Sequence, residues 1–232
     1  MRVSADLTIR VVIMDFGGTL AEGHIDWNEY HRAVHGYLKG LGYSFSFRDI
    51  SRGMGSALDR LNSIRRTGKE LTFEENYDFF LGKMGVPSSS EILTDLHDMF
   101  KIHYKSTFYH CVPEVLGSLS GEYKLAIMSN TMSDQPSEMI VDAGYSGFFE
   151  LVVCSRDLGI RKPNPEVFRY MLKNLGVTAS ETVHVGDSVE ADMEGADSVG
   201  ITGVWIRTQG QPSWHGYSIK SICELPAFMR NL

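Results

Sequence analysis

Residues 11–20 read VVIMDFGGTL. Together with Ile9 and Arg10 they make a short run rich in β-branched residues that ends in an acidic residue and two glycines, the pattern of a buried strand opening into a loop. A strand that is apolar throughout, without polar alternation, is covered on both faces, as in a parallel sheet flanked by helices. Three later runs repeat the pattern: Lys124 to Met128 (KLAIM), Leu151 to Cys154 (LVVC) and Thr182 to Val185 (TVHV), with Gly203 to Ile206 (GVWI) as a fifth. Helical patterns lie between them, at Pro136 to Ala143 and at Pro165 to Leu175, the second opened by an Asn-Pro pair that suits a helix start. Strand and helix therefore alternate from about residue 110 onward, which predicts an α/β fold with a parallel sheet between two helical layers.

The stretch from about 21 to 109 breaks that alternation, because it shows helical periodicity without a comparable apolar strand. Tyr30, Val34, Tyr37, Leu38 and Leu41 recur at helical spacing, as do Phe79, Phe80 and Met84, then Leu96, Met99, Phe100 and His103. This predicts an all-helical insertion, 21–109, into a core made of 1–20 and 110–232. Its aromatic and methionine stripes are read as core rather than as a ligand box.

The composition suits a chain that folds on its own. Hydrophobic residues are 43% and charged residues 22% of the 232, close to the globular average. A formal net charge of −7 disfavours a nucleic-acid partner, which basic patches would have to bind. The apolar stretch Val11 to Met14 is far too short to span a membrane or to form a signal-peptide core. Cys111, Cys154 and Cys223 are widely separated and in no metal-ligand spacing, so neither a disulfide framework nor a zinc site is expected. The expected setting is a cytoplasmic protein, monomer or homodimer, with no membrane partner.

Four features fall at the carboxyl ends of the expected strands, where open parallel sheets bind ligands. Asp15 leads into Phe16-Gly17-Gly18-Thr19-Leu20, whose small residues let backbone amides approach an anion. Ser129-Asn130-Thr131 supplies hydroxyl and amide donors for a phosphoryl oxygen. Lys162, in Arg161-Lys162-Pro163-Asn164-Pro165, supplies a point positive charge. Gly186-Asp187, with Asp192 five residues on, offers an oxygen-rich pair suited to a hard cation such as magnesium. Each feature alone also reads as a helix cap, a turn or a solvated loop residue. Their joint occurrence, in order and each after a strand, carries the functional reading.

VVIMDFGGTL, LAIMSNT, RKPNPEVF and HVGDSVEADMEGADSVG together resemble the four-motif signature of the haloacid dehalogenase-like superfamily, over residue 11 to about 204. The resemblance implies a Rossmann-like core with a helical cap inserted after the first motif. It implies Asp15 as nucleophile and Ser129 and Lys162, with Gly18 and Asn130, as the phosphate site. Mg2+ would be held by Asp15, the Gly17 carbonyl and Asp187, with Asp192 steadying Lys162 or a metal-bound water. A small phosphorylated metabolite is the implied substrate, and Trp27, Arg52, Arg60 and Lys69 are candidate selectors for it in the insertion.

One position departs from the signature. Family phosphatases carry a second aspartate two residues after the nucleophile as the proton shuttle, and here that residue is Gly17. Positioned acid–base catalysis is worth about 10²- to 10⁴-fold. A dehalogenase lacks this aspartate because halide leaves without a proton, but it also normally lacks the metal aspartate, whereas Asp187 and Asp192 are present. A phosphonatase needs a cap lysine in a Met-Gly-x-x-Lys pattern, and after Met54-Gly55 this chain has Leu58 in that place. The remaining enzyme reading is a phosphatase whose shuttle comes from Glu22, His24 or Asp26, or whose leaving group departs unaided. His24 and Asp26 read equally as a polar hinge and as the cap of a helix beginning at Trp27. A catalytically impaired protein that binds a phosphorylated metabolite is the alternative of a different class.

Overall fold

Val11, Val12, Ile13 and Met14 are all fully buried. In the computed structural model, which describes residues 8–207, 209–210 and 213–232, they form β1 (Val11–Met14) inside a six-stranded sheet. After β1 come β2 (Ala21–Ile25), the helices α1 (Trp27–Gly40), α2 (Phe47–Arg65), α3 (Phe73–Met84) and α4 (Ser90–His103), and β3 (Tyr104–Phe108). The chain then alternates through α5 (Val112–Leu119), β4 (Lys124–Ser129), α6 (Gln135–Asp142), β5 (Phe149–Cys154), α7 (Ser155–Leu158), α8 (Pro165–Leu175) and β6 (Thr182–Gly186). It closes with α9 (Gly195–Asp197), β7 (Thr202–Ile206), β8 (Tyr217–Ile219) and α10 (Leu225–Met229).

The sheet order is β5-β4-β1-β6-β7-β8, every neighbouring pair parallel. Successive side chains of a strand point to opposite faces, and here each face meets its own layer. Val12, Met14, Leu125, Ile127, Val183 and Val185 pack in one apolar cluster with Val112 and Leu116 of α5 and Leu225 and Met229 of α10. Val11, Ile13, Ala126 and Met128 pack in another with Val167, Phe168, Met171 and Leu175 of α8. The core is thus an α/β, Rossmann-like fold. Helix α8 begins and ends as its sequence dictates. Pro165 opens it, the Asn164 side chain accepts the Glu166 N–H at 3.0 Å, and Gly176 closes it at φ 67°.

The chain forms two compact units, Met1–Glu22 with Thr107–Leu232, and Gly23–Ser106. The second carries four helices, and each has a side-chain cap at its start: Asp26, Ser46, Thr72 and Ser89. Tyr30, Val34, Leu38, Phe80, Leu96 and Phe100 of the expected stripes are buried.

Four expectations need correction. The insertion is not wholly helical at its ends, where β2 and β3 form a two-stranded sheet; AEGHI and YKSTF mix polar and apolar residues and give no apolar run to find. The main sheet has a sixth strand, β8, an edge strand of three residues and too short for a periodic signal. Leu41 is 47% exposed, because α1 has already ended at Gly40. Finally, Cys111 and Cys223 form a disulfide across 112 residues of sequence. Cys111 precedes α5 and Cys223 precedes α10, and these helices share one apolar layer, so tertiary packing rather than spacing brings the thiols together. Disulfides persist mainly in oxidising surroundings, so the cysteines no longer argue for a reducing compartment. Cys154 remains a free, buried thiol. Among the described residues no helix is long and apolar enough to cross a membrane.

Candidate active site

Strands β4, β1 and β6 are neighbours, with Met14 opposite Ile127 and Val185 in register. The sheet order and register therefore set Asp15, Ser129 and Gly186-Asp187 side by side at the carboxyl edge of the sheet. Asp15 stays anchored to the ladder, its N–H donating to the Val185 carbonyl at 2.9 Å. Beyond it the chain folds into a tight turn in which the Phe16 carbonyl accepts from Leu20 N–H at 2.8 Å and Ala21 N–H at 3.0 Å.

Two glycines make the close approach possible. Gly18 has φ 79°, and a Cβ there would overlap the Asp187 carboxylate. At Gly186 a Cβ would overlap the Asp192 side chain. Gly17 differs from both: it has no atom within 4 Å of where a Cβ would stand. The turn also decides which amides face outward. Gly18 N–H donates to the Ala21 carbonyl at 2.8 Å, so it is not available to a phosphate as expected. Among the described residues the N–H groups of Phe16 and Gly17 make no backbone hydrogen bond.

Lys162 is 1% exposed, which a lysine tolerates only with counter-charges in reach. It has two, donating from Nζ to Asp15 Oδ1 at 2.7 Å and to Asp192 Oδ1 at 2.6 Å. Asn130 fixes the lysine's backbone on both sides. Its Nδ2 donates to the Lys162 carbonyl and its Oδ1 accepts the Lys162 N–H, both at 2.9 Å. The Asn130 amide therefore positions Lys162. Ser129, at the end of β4, is buried.

Asp192 is held by more than the lysine. Its Oδ1 also lies 2.9 Å from His184 Nε2, and its Oδ2 accepts the Ser188 N–H at 3.0 Å. His184 is fully buried on β6 and its Nδ1 has no partner among the described residues. The sequence reading did not single it out. Its only signal is a polar ring in the otherwise apolar run TVHVG.

Carboxylate oxygens of Asp15, Asp187 and Asp192 all lie within 4.8 Å of one another. Burial and the charges of Asp15 and Asp192 push the Asp187 carboxyl up to about 6. Burial likewise raises Asp15, against the opposing pull of Lys162. Burial would raise Asp192 as well, but Lys162 and His184 outweigh it and hold that carboxyl low. Burial disfavours the Lys162 ammonium, yet Asp15 and Asp192 keep it protonated and raise its pKa. Three carboxylates against one ammonium leave negative charge unbalanced, and a hard divalent cation bound by oxygen would relieve it. By this test the donor set fits magnesium.

The other expected residues divide. Asp26 caps α1, accepting from Asn28 N–H at 2.9 Å and Glu29 N–H at 3.1 Å. Arg60 lies over the Phe79 ring at 4.9 Å and donates to the Glu75 carbonyl, so it serves packing within the helical unit. Trp27, Arg52, Lys69 and His24 are exposed. Glu22 belongs to the core unit, and after burial its charge and that of Asp187 raise the pKa of Tyr109, a neighbour the sequence reading missed.

Residues 12–206 match the family model described as haloacid dehalogenase-like hydrolase. Among curated proteins, glyceraldehyde 3-phosphate phosphatase of Methanocaldococcus jannaschii is 27% identical over 69% of this chain and 72% of its own length. N-acylneuraminate-9-phosphatase of Homo sapiens is 30% identical over 52% of this chain and 51% of its own length. Phosphoserine phosphatase of Thermus thermophilus is 39% identical over 35% of this chain and 33% of its own. Among solved structures, 2-haloacid dehalogenase of Pseudomonas syringae pv. Tomato superposes with TM-score 0.72 at 22% identity, covering 97% of this chain and 99% of that one. A HAD phosphatase of Thermococcus onnurineus gives 0.65 at 24%, covering 95% and 98%. At these identities the structural likeness speaks for the fold.

Proposed function

Since this chain belongs to the haloacid dehalogenase-like hydrolases, we propose that it is a magnesium-dependent phosphatase acting on a small phosphorylated metabolite through a covalent aspartyl-phosphate on Asp15. The observation that carries the reading is the carboxylate cluster of Asp15, Asp187 and Asp192 with Lys162 fastened to the nucleophile. A dehalogenase normally lacks the metal aspartate, because halide leaves without metal or proton, whereas Asp187 is present and close to Asp15 and Asp192. The phosphatase names of the curated relatives support the same choice.

Magnesium, held by Asp15, Asp187 and the Gly17 carbonyl, would supply charge neutralisation for the phosphoryl oxygens. Lys162 grips Asp15 Oδ1 and leaves Oδ2 to attack phosphorus in line. The N–H groups of Phe16 and Gly17, the Ser129 hydroxyl and the Lys162 ammonium stabilise the equatorial oxygens. The bond to the leaving oxygen breaks as that oxygen takes a proton. Glu22 is the assigned donor, since Asp26 is engaged as a helix cap and Glu22 lies in the nucleophile's own unit. The same carboxylate then takes a proton from water, which attacks the acyl-phosphate and releases inorganic phosphate. Asp192 does not touch the substrate; with His184 it keeps Lys162 charged and in place. The helical unit, Gly23–Ser106, is assigned the role of substrate-selecting cap.

The test is a panel of small phosphate esters, phosphonates and haloacids with and without magnesium. Phosphate release that needs magnesium supports the reading, and haloacid turnover in chelator overturns it. Gly17→Asp probes the missing shuttle. The open space at Gly17 admits the side chain, and turnover should rise about tenfold, toward the lower bound for positioned acid–base catalysis.

A further inference from the structure

Gly18 stands against the Asp187 carboxylate, and with Thr19 it also lines a cavity of about 300 Å³. Its other walls come from three places in the core unit: Tyr109 and His110 before α5, Arg207 after β7, and Lys220 and Ser221 after β8. The volume is at the lower end of the range for small-molecule sites.

The cavity's charge runs against that of the chain. The protein carries 29 acidic against 22 basic residues, yet among the described residues the lining includes Arg207, Lys220 and His110 and no Asp or Glu. Among the described residues none of these three side chains has an ion-pair or hydrogen-bond partner. Glu224, close in sequence, turns its carboxylate to the backbone N–H of Lys220 at 2.9 Å, in a local cap.

A second observation points to a ligand. Thr19 is fully buried, and its hydroxyl has no hydrogen-bond partner among the described residues. Buried polar atoms are rarely left so. The walls are also held in register. Cys223 lines the cavity and is bonded to Cys111, the neighbour of His110, so the disulfide ties the His110 segment to the Lys220 segment.

We propose that this cavity is a second anion site, which binds the phosphate group of a small molecule through Arg207, Lys220, His110 and the Thr19 hydroxyl. Phosphate fits better than carboxylate, since a tetrahedral dianion offers several acceptor oxygens to donors that arrive from separate segments. An occupant would hold Thr19 and hence the turn that carries Asp15, so the site is placed to influence the nucleophile loop. The assignment stands on the cavity alone and is independent of the reaction proposed above.

The experiment is a titration with inorganic phosphate without magnesium, followed by amide nuclear magnetic resonance shifts at His110 and Ser221. The wild-type chain should show saturable shifts at both amides. Arg207→Gln with Lys220→Gln should weaken that binding at least tenfold while the thermal midpoint holds, and Asp187→Asn should leave it within about twofold. Thr19→Val, close in shape but without the hydroxyl, should weaken it severalfold and serves if the double variant does not fold. Shifts that fail to saturate, that survive the double variant or Thr19→Val unchanged, or that vanish in Asp187→Asn would overturn the proposal.

Discussion

The two units of this protein bury polar groups to opposite ends. In the helical unit most buried polar side chains meet a complementary one, Asn76 being the exception, its Oδ1 without a partner among the described residues. Arg65 Nε donates to Glu70 Oε1 at 2.8 Å, His97 Nδ1 lies 2.9 Å from Glu74 Oε1, and Tyr30 and Tyr77 share a hydrogen bond of 2.7 Å. Phe73 stacks on His97 at 4.3 Å and closes that cluster. In the core, three carboxylates crowd around one lysine, and Asp187 is pushed up to about 6. Matched pairs fix a geometry, whereas an unbalanced cluster is costly by itself and favours a bound cation. The contrast separates polar burial that serves structure from polar burial that serves binding.

The largest test of that contrast is Asp15→Asn. Turnover should fall by about 10⁴-fold or more, as for loss of a covalent nucleophile, while the thermal midpoint without metal should hold or rise because one buried charge is gone. A midpoint that dropped instead would show the carboxylates to be as well matched as the pairs of the helical unit. Lys162→Met reverses the balance, leaving Asp15 and Asp192 buried without their shared counter-charge. It should destabilise the core by about 3–5 kcal/mol, measured by denaturant unfolding, and a loss under about 1 kcal/mol would mean the lysine is not the keystone of the cluster.

Smaller is Glu70→Gln in the helical unit. The Glu70 side chain is fully buried against Arg65, so its replacement should cost about 1–3 kcal/mol of stability and leave turnover at saturating substrate unchanged. The smallest effect is on pH. A carboxyl whose folded pKa lies above its unfolded value binds more protons when folded, so stability without metal falls as pH rises from about 4 to 6 and levels beyond. Magnesium must displace that proton from Asp187, so its stabilising shift should be larger near pH 7 than near pH 5. Equal shifts at the two would separate the cation from Asp187.

Much of the site was legible because its parts sit at strand ends, and strands with no polar alternation are hard to misread. Asp15, Ser129 and Asp187 could be named from runs such as VVIM and KLAIM because a parallel sheet gathers strand ends at one edge, whereas Lys162 follows β5 only after α7. The division of labour among neighbours was not legible. Asn130, expected at the phosphate, has both ends of its amide on the Lys162 backbone, and Gly18 N–H closes the turn on Ala21. Such assignments depend on angles and distances of a few tenths of an ångström, which residue type does not encode.

The apolar core strands and their alternation with helices from about residue 110 follow from local pattern, since burial on two faces and helical spacing are written every few residues. Only the folded chain decided that His184 would hold Asp192, that Cys111 would find Cys223, and that Arg207 and Lys220 would share a cavity with Thr19. Those partners stand between 8 and 201 residues apart. No sequence spacing can specify them, because what joins them is the packing of layers on a common sheet.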